Sequence, residues 1–230
     1  MSSNPQNYQN HDNLKIIISG DFVDYQVAIK AMDERKKSTI NGNSCEFFWL
    51  LEHNHLYTGG SSANNQQHIS KIPNNVPLHY QSRGGQFTYH GPGQRIGYFC
   101  LDLKKRQKTL DLHKVINLIE EIVILSLKKL YNINSSRIDG KTGVWVENQE
   151  KFEKICAIGV NCGKGILTHG FALNICNNLD YFKLITPCGI VDDEKFGVCS
   201  VSSILKKEIT VYDLDNLLVD FFKEIFLKNL

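Results

Sequence analysis

The chain has 230 residues, of which 42% are hydrophobic and 22% charged, and a formal net charge of +2. That length buries a sizeable core and that composition is globular, while so small a charge gives no electrostatic footprint for nucleic acid. Seven cysteines, an odd number with no Cys-x-x-Cys spacing, argue against a disulfide framework or a zinc ribbon and fit a reduced, cytoplasmic setting.

Residues 1–13 are polar and rich in Asn and Gln, with neither an apolar signal core nor an arginine-rich pattern, so they read as a disordered tail. Residues 14–230 read as a single domain, and no apolar run approaches the roughly 18 residues that span a membrane. A short β-branched run at 15–19 is followed by Asp21, which can cap a helix carrying Tyr25, Ala28, Ile29 and Met32 on one stripe and ending between 38 and 42. Residues 45–52 are nearly continuously apolar and of strand length, the pattern of a strand buried on both faces. Glu52, His53, His55 and Tyr57 emerge at its end. A metal would need further ligands nearby, so these side chains read instead as supports for a neighbouring loop.

Residues 61–76 are rich in Ser, Asn and Gln and read as a surface loop. Residues 83–94 hold four glycines and one proline interleaved with Arg83, Thr88, Tyr89 and His90, a shaped loop whose amides and side chains line a ligand, unless it is only a tight turn between strands. Residues 96–103 form another buried strand, and Thr109 or Asp111 opens a helix with apolar positions from Leu112 to Leu127 at helical spacing. Two runs, 143–147 and 154–160, flank polar residues 148–151 as a hairpin; 161–165 turns again, and 166–175 is a strand-like run carrying Thr168-His169-Gly170 and Asn174. The last helix is expected from Thr210, with Asp213 three residues on. Several strands with few intervening helices make the class α+β, a mixed β-sheet flanked by helices.

Arg83-Gly84-Gly85 followed by Thr88-Tyr89-His90-Gly91-Pro92-Gly93-Gln94 resembles the signature of the lipoyl(octanoyl) transferase family, and the likeness runs from about Glu52 to Gly189. The resemblance implies a biotin/lipoate protein ligase-like fold. It also implies transfer of an octanoyl group from octanoyl-acyl carrier protein, through a cysteine thioester, to a lysine of lipoyl domains of 2-oxoacid dehydrogenase complexes and glycine cleavage H protein. No cofactor, metal or membrane is implied, since the donor thioester already carries the activation. The alternatives are an ATP-dependent lipoate or biotin protein ligase and a non-catalytic acyl-binding module.

Of the cysteines, Cys188 stands apart, in Thr186-Pro187-Cys188-Gly189, where the proline fixes the approach and the glycine leaves the sulfur uncrowded. The resemblance makes it the acyl-accepting nucleophile and makes Lys154, at the head of Lys-Ile-Cys-Ala-Ile-Gly, its catalytic partner; the residues alone favour an exposed hairpin lysine. A thiol is only a few per cent ionised at neutral pH, and a cation about 4 Å away at an effective dielectric near 20 is worth roughly 4 kcal/mol, so a thiolate–ammonium pair and a neutral pair are both open. The resemblance further assigns substrate contact to Arg83, Gly84, Gly85, Gln86, Phe87, Thr88, Tyr89 and His90, to Ala157, Ile158 and Gly159, and to Gly170, Phe171 and Ala172. Phe87 and Ile158 fill positions that vary in the family, which leaves acyl-chain length open. Lys104, Lys105, Arg106 and Lys108 form a basic cluster that reads either as a docking patch for an acidic carrier protein or as a solvated turn before a helix.

Overall fold

The computed structural model describes residues 6–11, 14–43, 46–63, 72–185 and 195–230. Its centre is a nine-stranded mixed sheet. In spatial order the path is β1 (Gln6–His11), β2 (Leu14–Phe22), β3 (Glu46–Glu52), β7 (Gln94–Asp102), β11 (Ile166–Asn174), β10 (Lys151–Gly163), β9 (Lys141–Asn148) and β8 (Ser136–Ile138), with β12 (Phe196–Val198) parallel to the start of β10. A smaller sheet, β5 (Leu78–Tyr80), β4 (Leu56–Gly59) and β6 (Phe87–His90), carries the signature residues.

Strand alternation sorts the side chains to two faces. Phe48, Leu50, Phe99, Leu101, Leu167 and Phe171 turn to one side, where they meet the apolar stripe of α3 (Leu112–Tyr131) and the C-terminal helical stretch. Phe99 stacks on Phe226 at 5.5 Å and 2°, and Phe48 lies 4.5 Å from Phe222. Phe47, Leu51, Ile96, Tyr98, Cys100 and Ala172 turn to the other side, under Ala28 and Met32 of α1 (Tyr25–Ile40). β3 and β7 are therefore covered on both faces, as their unbroken apolar runs require.

The turns follow their sequences. Gln149 and Glu150, both at positive φ, close β9 onto β10 with two residues, and Lys164-Gly165 closes β10 onto β11 in the same way. The α3 helix opens on Asp111, whose carboxylate accepts the Lys114 N–H at 3.0 Å.

Three local expectations are corrected. Gln6–His11, expected within a disordered tail, pairs with β2, because backbone hydrogen bonds to an open strand edge need no apolar side chains. Asp24, not Asp21, caps α1, since Asp21 still belongs to β2 and it is the Asp24 carboxylate that accepts the Val27 N–H. Thr210 bonds Asp213 at 2.9 Å but only makes a turn; the helix α5 (Asp215–Phe221) starts at Asp215, which Arg95 grips through two charged hydrogen bonds of 2.8 and 2.6 Å.

Candidate active site

On the α1 face, β10 and β11 present small residues to each other: Ala157 pairs with Ala172 and Gly159 with Gly170. With no side chains to fill it, this strip becomes the floor of a pocket holding about 520 Å³ of empty space, its open mouth included. The walls are Arg83, Gly84, Gly85, Gln86, Phe87, Thr88 and His90 on one side and Tyr25 and Tyr98 on the other, with Ile158 and Phe171 contributing along the floor and His169 at one end. A larger residue at Gly159 would press on Arg83 and on the Gly84 carbonyl, so the bare floor also lets the loop close down, its Gly84 N–H donating to the Val160 carbonyl at 3.0 Å.

The signature loop is held by its own arginine. Arg83 Nη2 donates to the Thr58 carbonyl and hydroxyl, both at 2.7 Å, and to the Gln86 carbonyl at 3.0 Å, while Nη1 donates to the Gly84 carbonyl at 3.0 Å. Because Thr58 Oγ1 accepts from Arg83, its own proton points to His90 Nε2, 3.3 Å away. His90 Nδ1 then carries the ring proton and donates to Gln94 Oε1 at 2.9 Å. Gln94 Nε2 donates to Asn174 Oδ1 at 2.9 Å, and Asn174 Nδ2 donates to the Cys199 carbonyl at 3.0 Å. The result is one directed chain of buried hydrogen bonds from the loop to the strand end beyond β12. Burial, with the charges of His53 and Arg83 behind it, holds the His90 imidazole down at about 3, which fixes its neutral form.

Tyr89 does not join the pocket. Strand alternation turns it to the opposite side of β6, where it stacks on Tyr181 at 4.6 Å and its hydroxyl meets His55 Nδ1 at 2.7 Å. The residues after β3 act as loop supports: Glu52 accepts the Gly93 N–H at 2.8 Å, and the Tyr57 hydroxyl donates to the Tyr181 carbonyl at 2.9 Å. His53 Nδ1 donates to the Val23 carbonyl and its Nε2 receives the Tyr98 hydroxyl at 3.0 Å; burial lowers this histidine to about 4.

Lys154 is not an exposed hairpin lysine. It is buried on β10, and its Nζ stands 4.6 Å over the ring of Trp145. The β9–β10 register shifts between Lys154 and Cys156, and there Gly143 adopts φ +121°, where an added Cβ would stand 2.6 Å from the Cys156 carbonyl and 3.3 Å from the Lys154 side chain. This bulge aims the lysine. β12 runs beside the same stretch, with Val198 opposite Lys154 and the Cys199 N–H donating to the Lys154 carbonyl at 3.1 Å. Lys154 lies three residues before the pocket floor and does not line the pocket itself. Cys188, Pro187 and Gly189 lie outside the described residues, which resume at Lys195, next to β12.

Tyr25, Tyr98, His169 and the relay residues Thr58, Gln94 and Asn174 were not singled out as site residues by sequence. Tyr25 and Asn174 were visible as members of a helix stripe and a strand, but nothing in their spacing shows that they meet. Among the described residues no group of three or more His, Cys, Asp or Glu is placed to hold a metal ion. No described helix is long and apolar enough to cross a membrane.

A mixed sheet with helices on both faces, a small-residue pocket floor and a glycine-rich loop closed over it define a protein of the lipoate protein ligase fold. A bi-partite lipoate protein ligase from Thermoplasma acidophilum superposes with a TM-score of 0.65 at 16% identity, covering 89% of this chain and 82% of that one. A lipoate-protein ligase A bound with ATP gives 0.63 at 16% identity, over 89% and 83%. The family model of the lipoyl protein ligase A/B catalytic domain matches residues 24–223, and the chain belongs to that family. Among its relatives, the octanoyltransferase of Neorickettsia sennetsu is 41% identical over 212 residues, 92% of this chain and 96% of the relative. The octanoyltransferase of Zymomonas mobilis is 38% identical over 205 residues, 89% and 91% of the two chains.

Proposed function

We infer that this chain is an octanoyltransferase: it moves an octanoyl group from an acyl carrier protein to a lysine of lipoyl domains, those of 2-oxoacid dehydrogenase complexes and glycine cleavage H protein. The observation that carries the reading is the juxtaposition of an apolar-floored pocket with a buried lysine three residues up the same strand. The floor of Ala157, Ala172, Gly159 and Gly170 carries nothing larger than a methyl group, and each methylene that an acyl chain buries there is worth about 0.8 kcal/mol.

In the first half-reaction the Cys188 sulfur attacks the donor's thioester carbonyl. A new C–S bond forms, the C–S bond to the carrier breaks, and the carrier thiol leaves with the proton that Cys188 gave to Lys154. In the second, the acceptor lysine's amine attacks the acyl-enzyme, the C–N bond forms, the C–S bond to Cys188 breaks, and the amine's proton returns through Lys154 to the sulfur. The thioester supplies the activation, so the cycle balances without nucleotide or metal. The His90 relay keeps the loop, β11 and the residues after β12 in register while the acyl group changes hands.

Incubation with octanoyl-carrier protein followed by intact-mass measurement tests the reading. A hydroxylamine-labile octanoyl adduct that vanishes in Cys188→Ala is expected. Octanoylation of a lipoyl domain that proceeds only with ATP and free octanoate, with no adduct, would overturn it.

A further inference from the structure

His169 stands where its strand should not put it. It pairs with Val160 on one side and Phe99 on the other, and both of those face the α3 side of the sheet, as do Leu167 and Phe171, its neighbours two residues away along β11. By alternation the imidazole belongs in that apolar core. Instead His169 adopts φ +64°, a left-handed conformation that strains a non-glycine residue. Its N–H leaves the ladder and points at the sulfur of Met32 on α1, 3.1 Å away, and its ring meets the Tyr98 ring edge-on at 6.4 Å. The backbone twist has carried the imidazole through the sheet to the pocket side.

There it borders two spaces at once. One is the pocket floored by Gly159 and Gly170; the other is a groove of about 700 Å³, open mouth included, lined by Met32 and Lys36 of α1, by Gln81 and Ser82, and by Thr168. His169 is common to both linings. Burial, and then the charges of Arg83 and Lys36, lower the ring to about 4, so it stands there as a neutral wall. From the Ala157–Ala172 pair, at the Lys154 end of the floor, to the Val160–His169 pair is three residues of strand, about 10 Å, the reach of an extended chain of eight carbons.

We propose that His169 is the end-stop of the acyl pocket, a specificity-determining residue whose strained backbone swings its ring across the floor to separate the pocket from the groove and so limits the length of the acyl chain. The proposal rests on the octanoyltransferase reading. It assigns the chain-length limit to one residue rather than to the bulk of the loop.

The test is His169→Gly, which suits the left-handed φ, relieves the strain and opens the partition, with His169→Asn as a second variant because asparagine also tolerates that conformation. Purified proteins are given octanoyl-, decanoyl- and dodecanoyl-carrier protein in competition, and transfer to a lipoyl domain is read by mass. The readout is the ratio of kcat/KM values within each protein, which a loss of folded enzyme leaves unchanged. In His169→Gly the decanoyl-to-octanoyl ratio should rise by about fifteenfold, near fourfold for each of the two methylenes newly accommodated, with a smaller rise in His169→Asn. A wild type that transfers octanoyl and keeps its ratio in both variants overturns the end-stop alone. A wild type that transfers no acyl group overturns the octanoyltransferase reading and the end-stop together.

Discussion

The catalytic proposal stands on one side chain, Lys154, and on one glycine. A lysine buried in a strand is expensive unless something accommodates the ammonium, and here the face of Trp145 lies beneath it. Lys154→Met keeps the bulk of the stem, so folding is expected to survive while acylation of Cys188 slows by about 10² to 10⁴, the range for loss of a positioned acid–base group. The check is the rate of adduct formation by rapid-quench mass measurement. Lys154→Arg separates charge from proton transfer, because a guanidinium cannot give up its proton at accessible pH. If charge alone matters, iodoacetamide reactivity and turnover both recover; if proton transfer matters, reactivity recovers and turnover does not. Gly143→Ala addresses the aiming of the lysine. An alanine there must leave φ +121° or collide with the Cys156 carbonyl, so a stability loss of about 1–3 kcal/mol in urea unfolding is expected together with slowed acylation. Wild-type stability and rate in this variant would show that the bulge aims nothing.

At the scale of elements, the signature loop is one end of a hydrogen-bonded relay that crosses β6, β7 and β11, and its histidine is held neutral in the folded state. His90 sits at about 3, and His53 and His169 at about 4, against about 6.5 for an unfolded histidine. Burial is the main cause in all three. Below pH 6.5 the unfolded chain therefore binds protons that the native state refuses, so stability rises with pH through this window and is lost as pH falls. Between pH 6.5 and 5.5, where ordinary carboxylates stay ionised, the melting temperature should fall with acid, and His90→Gln should fall less steeply. An identical slope in the variant would mean that His90 titrates normally. Much of this architecture was legible beforehand. The runs 143–147 and 154–160 announced the hairpin, and glycine-rich residues 83–94 announced a shaped loop, because turn chemistry and alternation are local signals. Tyr89 and His169 show where such signals stop. Tyr89 belongs to the signature yet alternation sends it to a stack on Tyr181, and His169 escapes alternation through a backbone angle that no spacing encodes. The Asn174–Gln94–His90 relay was illegible for a simpler reason: its partners lie up to 80 residues apart and meet only because β7 pairs with β11.

On the proposed function the whole molecule must also receive a carrier protein, and the distribution of charge narrows where. Of the basic cluster after β7, Arg106 is engaged with the buried Glu46, whose other oxygen accepts the Asp102 N–H, so this arginine ties β3 to the end of β7. Lys105 lies 3.8 Å from Asp102, a partly exposed pair worth little in water. Lys104 runs along Gly165 in the β10–β11 turn, and Lys36 of α1 reaches Gly163 on the other side of the same turn, so the cations converge on the end of the sheet beside the groove that His169 borders. An acidic carrier presenting its acyl arm to the pocket would meet this group. Attraction of that kind is screened within about 10 Å at 0.1 M salt, so raising salt from 0.05 to roughly 0.3 M should lower kcat/KM for octanoyl-carrier protein several-fold while leaving a small octanoyl thioester almost unaffected. Charge reversal at Lys36 and Lys104 together should imitate high salt with the carrier donor and be silent with the small donor. Arg106→Glu behaves differently, because it strands Glu46 without its partner: it should lower stability and slow both donors alike. If both donors respond equally to salt, and Lys36→Glu/Lys104→Glu leaves carrier kinetics at the wild-type value, the carrier approaches from another face and the convergence at the β10–β11 turn serves only solubility.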